Sequence, residues 1–376
     1  MTGRYAVWGG RTLDLLTHSR SQLQNFVLVA GYDYRGRDAS RVDFVQLALN
    51  RAAMLRNSDL GRTRFTLFDV ARGIVEEQIG YGDEITSVRT VAQYEPIRST
   101  HYEVQPSGIP AFRAVGVRTL SIVDVYDYVL QLGAHEPATL LELAFVSHGW
   151  GGGPILVNSF DPTPSHGMRN YDDKDGRVNK DFAAPNMSSR KRRLFRAAFC
   201  ARAGRVFNFG CASDAAARDV LDQLFEQWEP THDSTNIYRF AFNSDRLIQY
   251  RTTDPAFFGD ELLKVSRSLA QCQAFLHRRK NVSYSQKIAD VAGVRCWAAF
   301  PGTSSSYEKD VPFPVMSVRK ALTESGTDLT SYLRFINVCL GYVGDSKERG
   351  FIEFAPLQPK KPVYDHSATI IMDSQD

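Results

Sequence analysis

The sequence predicts an α/β protein with a mostly parallel central sheet and helices on both faces. Three observations carry this. Short apolar runs at 26–31, 65–70, 141–146, 205–209 and 294–300 have the length and residue types of strands buried on both sides. Amphipathic segments with helical spacing stand between several of them, and strands alternating with helices form parallel sheets through right-handed crossovers. Two of the runs end in residues able to do chemistry, His148-Gly149 and Gly210-Cys211. In parallel sheets, sites lie at the carboxyl ends of the strands.

The elements follow in order. The run 26–31 is the first strand, ended by Gly31. Residues 42–55 carry apolar side chains at 42, 45, 47, 49, 52, 53 and 55, which predicts a helix with Ser40 as its N-cap. A second strand is expected over 65–70. Residues 72–116 are mixed and polar, with Gly and Pro signals, and little regular structure is expected there. A helix over 122–132, stopped by Gly133 and Pro137, leads into the strand at 141–146. The connection 150–203 is too long to be structureless, so it should hold a small hairpin and a helix near 189–202. After the strand at 205–209, Asp214 can cap a helix running through Trp228. A helix over 259–277 and a strand over 294–300, stopped by Pro301-Gly302, complete the pattern. Residues 1–24 and 306–376 are assigned as extensions of a domain spanning 25–305, with 158–200 an insertion near the active edge.

Composition narrows the function. The 376 residues are 43% hydrophobic and 23% charged, which suits a globular chain. The net charge of +3 argues against a dedicated electrostatic nucleic-acid binder. No run of about 18 apolar residues occurs, so no membrane helix is expected, and the first twenty residues lack the apolar run of a secretory signal. The five cysteines are scattered, which excludes close-spaced metal motifs and a disulfide framework. A soluble cytoplasmic protein with reduced thiols and no cofactor is expected.

Cys211 stands between a strand and a helix, where a thiol can serve as a nucleophile aided by the N–H groups of the helix's first turn. Cys200, Cys272, Cys296 and Cys339 read as buried and inert. His148 precedes Gly149 and a glycine-rich loop whose backbone N–H groups can point into a site. A thiol and an imidazole at neighbouring strand ends are what nucleophilic acyl transfer needs.

An apolar strand ending Phe-Val-Ser-His-Gly, followed by one ending Phe-Gly-Cys, resembles the caspase-like cysteine peptidases. That group includes caspases, metacaspases, gingipains, legumains, separases and CHAT domains. The blocks 143–149 and 206–211 fit its pattern in the correct order, and 26–55 fits its opening β–α unit. The segment 284–305 looks like the late helix–strand unit of bacterial CHAT-like members. The resemblance covers roughly 26–305. It implies a three-layer caspase-like α/β fold, a His148/Cys211 dyad, an oxyanion hole from the N–H groups of Gly149 and Cys211, and a protein or peptide substrate cleaved after one preferred P1 residue. Ala212-Ser213-Asp214 departs from the residues that follow the cysteine in caspases and metacaspases, so the P1 preference does not carry over. Asp33 and Arg35, past the first strand, are candidate substrate contacts, an acid for a basic P1 and a base for an acidic one; the alternative is that they pair with one another on the surface.

Other readings stand beside this one. A caspase-like scaffold can serve as a pseudo-enzyme or binding module. Ser147-His148-Gly149-Trp150-Gly151-Gly152 looks like the oxyanion loop of an α/β-hydrolase, but the G-x-S-x-G elbow of that fold is absent. The run Asp172-Asp173-Lys174-Asp175-Gly176 does not fit an EF-hand, because Tyr171 and Phe182 fall where carboxylates are needed. It reads better as a solvated acidic loop, with a looser calcium site resembling that of some metacaspases left open, and no metal site is assigned. The basic run 190–193 lies between His148 and Cys211, where some caspase-like enzymes are processed, but it reads better as a solvated helix face. The insertion 158–200 should cover or border the cleft, since both its ends leave the active edge.

Overall fold

The computed structural model describes residues 23–35, 41–56, 61–113, 115–160, 167–259, 264–307, 316–317, 328–344, 347 and 349–357. Ser40, expected as a helix cap, and residues 1–22 lie outside them. An eight-stranded sheet organises the chain: β1 (Gln24–Ala30), β2 (Arg62–Asp69), β3 (Ile74–Tyr81), β4 (Glu84–Gln93), β5 (Leu140–Val146), β6 (Arg205–Asn208), β7 (Arg295–Ala298) and β8 (Ile352–Phe354). Its order is β8-β7-β6-β5-β1-β2-β3-β4. The block from β7 to β2 is parallel, while β8 at one edge and the β3–β4 hairpin at the other join it through antiparallel pairings. This is the mostly parallel α/β sheet that the apolar runs predict.

Every residue of β1 and β5 is buried, as apolar runs in the middle of a parallel sheet must be when both faces are covered. Helices α1 (Phe44–Arg56), α2 (Ile122–His135), α3 (Ser189–Ala198), α4 (Ala215–Gln227), α5 (Leu269–Val282) and α6 (Tyr284–Ala292) flank the sheet. Two contacts show that both faces are covered. Glu142 on β5 meets Arg51 of α1, and Phe145, on the opposite face because strand side chains alternate, meets the ring of Tyr284 on α6 at 6.4 Å.

Glu142 interrupts the apolar run of β5 with a charge that is fully buried. Its two oxygens take the Nε and Nη2 of Arg51 at 2.7 Å each, and Arg205 Nε of β6 at 2.8 Å. Burial pushes the carboxyl up, but the two guanidinium groups prevail and hold it below its ordinary value. The Arg51 guanidinium also lies 4.5 Å from the ring centre of Phe207. The cluster ties α1 to the starts of β5 and β6, at the end of the strands away from His148 and Cys211.

Several expectations need correction. Residues 72–116 hold β3, β4 and a small hairpin of Tyr102–Val104 with Pro110–Phe112. They escaped the pattern because β4 is exposed along almost its whole length, so no apolar alternation marks it. Residues expected to begin a helix at 259 instead include a strand, Lys264–Ser268, paired with Ile237–Ala241, and the helix starts at Leu269. Helix α2 runs through Gly133 to His135. Gly133 lies against α3, where an added Cβ would fall 1.8 Å from the carbonyl oxygen of Leu194, so this glycine permits helix contact and does not end a helix. The sheet also crosses the boundary assigned at 305, because β8 adds an edge strand beside β7.

The acidic run is not solvated. Asp173 and Asp175 are 1% exposed. Asp175 accepts the backbone N–H groups of Leu156, Val157 and Ser159, and Asp173 accepts from Ser159 Oγ and from Arg177. These carboxylates fold the insertion onto the segment after the His148 hairpin, a use of charge invisible without the partners. Residues 190–193 are exposed on α3, as expected of a solvated face.

Candidate active site

Strands β5 and β6 end in register. Phe145 pairs with Asn208, and Phe209 N–H donates to Phe145 O at 2.9 Å. His148 and Cys211 each lie three residues beyond that last pair. Past the sheet the two chains stay in contact. A Cβ added to Gly149 would lie 2.4 Å from Cys211 O, and one added to Gly210 would lie 3.0 Å from the Cα of Gly149. Only residues without a side chain permit this approach. Gly149 also sits in a short hairpin, His148–Trp150 with Gly153–Ile155, the small hairpin expected in this connection.

The neighbouring strand β1 supplies the next group. Gly31 N–H donates to Val146 O at 3.0 Å, which keeps the chain after β1 beside that after β5. Asp33 then reaches His148, with Oδ1 2.7 Å from Nε2. Its carboxylate also accepts the N–H groups of Val42 at 2.8 Å and Arg35 at 3.1 Å. The expected substrate contact at Asp33 gives way to this arrangement, since the side chain is 4% exposed and its oxygens already accept three hydrogen bonds. Arg35 is exposed, its guanidinium 5.6 Å from the ring centre of Tyr34.

The rings of Tyr34 and Phe44 stand edge-on to His148 at 4.9 and 5.2 Å. Burial pushes the imidazole below its ordinary value, against the opposing hydrogen bond and charge of Asp33. Burial alone would push Asp33 up, but the hydrogen bond from His148 and those from Val42 and Arg35 hold it below the usual carboxylate range. Near neutrality the pair is therefore a carboxylate and a neutral imidazole. A carboxylate only accepts, so Nε2 carries the proton and Nδ1 is the basic nitrogen.

Cys211 is half-buried, while Cys200, Cys272, Cys296 and Cys339 are buried as expected. The donors around its sulfur differ from those expected. The first turn of α4 is capped by Asp214, which accepts from Ala217 N–H and pairs with Arg279. The N–H that reaches Sγ is that of Ser305, at 3.3 Å, from the loop after β7. Sequence reasoning missed Ser305, Tyr34 and Phe44. Pro301-Gly302 marks the end of β7 in the sequence, but that β7 lies beside β6 and brings Ser305 to Cys211 is decided by the fold.

The insertion borders a cleft of about 330 Å³ beside the hairpin, walled by Trp150, Phe160, Arg177 and Val178. Trp150 is two residues from His148 and is 41% exposed.

Among the described residues no helix is long and apolar enough to cross a membrane. No protein-family model and no curated protein matches the chain. A solved structure, a secreted C11 cysteine protease from Bacteroides thetaiotaomicron in complex with an irreversible peptide inhibitor, is similar to it at 13% sequence identity with a TM-score of 0.26. The likeness covers 59% of this chain and 49% of that one, so it spans about half of that protein's length.

Proposed function

We propose that this protein is a cysteine endopeptidase that hydrolyses peptide bonds through Cys211 and His148. The observation that carries the reading is the matched ending of β5 and β6, which sets an imidazole and a thiol at adjacent strand ends with the backbones of Gly149 and Cys211 in contact. In acylation the Cys211 sulfur bonds to the scissile carbonyl carbon, and the thiol proton passes to His148. The oxyanion takes the N–H groups of Gly149 and Cys211. His148 then gives its proton to the leaving amine as the C–N bond breaks, leaving a thioester. In the second half His148 takes a proton from water, the water oxygen bonds to the carbonyl carbon, and the C–S bond breaks as His148 returns the proton to the Cys211 sulfur. Asp33 holds the ring so that Nδ1 is the proton-accepting nitrogen throughout.

Arg35, exposed next to Tyr34, remains a candidate substrate contact, a base that would suit an acidic P1 residue. The test is a cleavage profile on a diverse peptide library, with a thiol-reactive peptide electrophile as a second readout. Cleavage and labelling at Cys211 are expected, both lost in Cys211→Ala, with cleavage lost in His148→Ala. A folded protein that cleaves no peptide, and whose Cys211 reacts no faster than a free thiol, is a binding module and overturns the proposal.

A further inference from the structure

Two rings close on the imidazole of His148 from different parts of the chain. Tyr34 follows Asp33 in the segment after β1, and Phe44 is the first residue of α1. Their planes stand at 64° and 84° to that of the imidazole, and both residues are buried. One carboxylate brings them together. Asp33 Oδ1 meets His148 Nε2, while Oδ2 accepts Val42 N–H, and Phe44 N–H donates to Val42 O at 3.1 Å. The bond that orients the imidazole and the bond that seats the start of α1 thus belong to the same side chain.

A single hydrogen bond at Nε2 fixes one atom of the imidazole and does not by itself fix the tilt of the ring. Two further rings packed edge-on against it do. We propose that Phe44 and Tyr34 are positioning residues for His148: their rings fix the plane of the imidazole, and so the direction of Nδ1, and shield it from water. The proposal rests on the reading of His148 as the proton carrier. Burial is the largest influence on this imidazole and pushes it down, Asp33 pushes it up, and Arg35 pushes it down. Asp33 and Arg35 both come from the segment after β1. Burial also holds the Tyr34 phenol above its ordinary value, so it stays neutral. Helix α1 brings the uncharged Phe44, and the segment after β6 brings the Cys211 thiol. Phe44→Ala therefore opens the wall while leaving every one of these charged and titratable groups in place.

The first readout is the titration of the His148 ring protons by NMR, identified by their loss in His148→Ala, which needs no peptide substrate. In Phe44→Ala water reaches the ring, and the midpoint should move up toward the ordinary value of 6.5. Phe44→Leu refills most of the gap with apolar volume and should bring the midpoint back down. The second readout is peptide turnover. In Phe44→Ala kcat should fall by about tenfold with KM within about twofold, because the residue aims the imidazole and touches no substrate. Tyr34→Ala should act in the same direction, and Tyr34→Phe, which restores the ring without the hydroxyl, should rescue it. A folded Phe44→Ala protein with the parental midpoint overturns the inference, and so does one with the parental kcat.

If neither alanine variant folds, the parental protein decides. Its His148 should titrate below 6.5, and a midpoint at or above that value means that the rings do not shield the imidazole and also overturns the inference. Titration and cleavage fail separately. A midpoint that moves as stated in a protein that cleaves no peptide keeps the role of the two rings and removes the peptidase reading. Peptide cleavage with an unmoved midpoint does the reverse.

Discussion

His148 Nε2 and Asp33 Oδ1 lie 2.7 Å apart, joining the segment after β5 to the segment after β1. The two residues are far apart in the chain and come together because β1 and β5 are neighbours, with Ala30 opposite Val146. The bond determines which imidazole nitrogen is basic, and it gives the site a pH dependence with a definite sign.

His148 is held below its ordinary value of 6.5 by burial, and Asp33 opposes that shift. Cleavage that needs the neutral imidazole should therefore rise with pH along an acid limb centred below 6.5. In Asp33→Asn the opposing charge is gone while a side-chain oxygen remains to accept from Nε2. The acid limb should move to still lower pH, and the plateau rate should fall by about a hundredfold as the ring loses its orienting charge. The pH dependence of kcat/KM measures both. An acid limb that moves to higher pH would show that Asp33 does not act on His148 as the geometry requires.

Gly149→Ala tests the close approach of the strand ends. The new Cβ would lie 2.4 Å from Cys211 O, so the backbones must separate. Stability should fall by about 1–3 kcal/mol, as in other overpacked sites, and cleavage by roughly a hundredfold or more through the displaced oxyanion donor. Alkylation of Cys211 by a small reagent should persist. Thermal unfolding, peptide turnover and alkylation on one purified variant check all three, and turnover at the parental rate would remove Gly149 from the mechanism.

Glu142→Ala leaves Arg51 buried without its carboxylate, and Arg51→Ala leaves Glu142 facing Arg205 alone. Breaking a buried pair from one side costs about 3–5 kcal/mol. The carboxyl of Glu142 is held below its ordinary value in the folded protein. Its contribution is thus complete above the unfolded-state value and is lost as pH falls through the folded one. Urea unfolding at neutral and acidic pH should show the variants and parent converging as the pH drops. A gap that stays constant would assign the loss to packing.

Asp175→Ala removes the acceptor shared by Leu156, Val157 and Ser159 N–H. Each buried donor left unsatisfied costs about 1–3 kcal/mol, so the insertion should loosen and become a preferred cleavage region in limited proteolysis. A digestion pattern identical to the parent's would mean that Arg177 and Asp173 hold the segment without it.

The sequence by itself determined the parallel core. The runs at β1, β2, β5, β6 and β7 are apolar because both faces of a central strand are covered, and that requirement is written locally in the residues. It also marked His148 and Cys211, since a histidine and a cysteine directly after such runs must emerge at the sheet's carboxyl edge. Strands β3 and β4 left a fainter trace in the turn Gly82-Asp83, where Gly82 takes a positive φ of 54°.

Tertiary structure decided what the charges do. Asp33 reads the same in sequence whether it faces a substrate or a histidine, and the adjacency of β1 and β5 makes it the partner of His148. Asp173 and Asp175 read as solvent-facing until the insertion folds back and supplies buried donors. The Ser305 N–H, a backbone group that every residue but proline carries, becomes a partner of Cys211 only because β7 lies beside β6. Burial of an apolar side chain can be inferred from its own pattern. The role of a polar group depends on which distant partner the fold brings within hydrogen-bond distance, and spacing along the chain does not encode that.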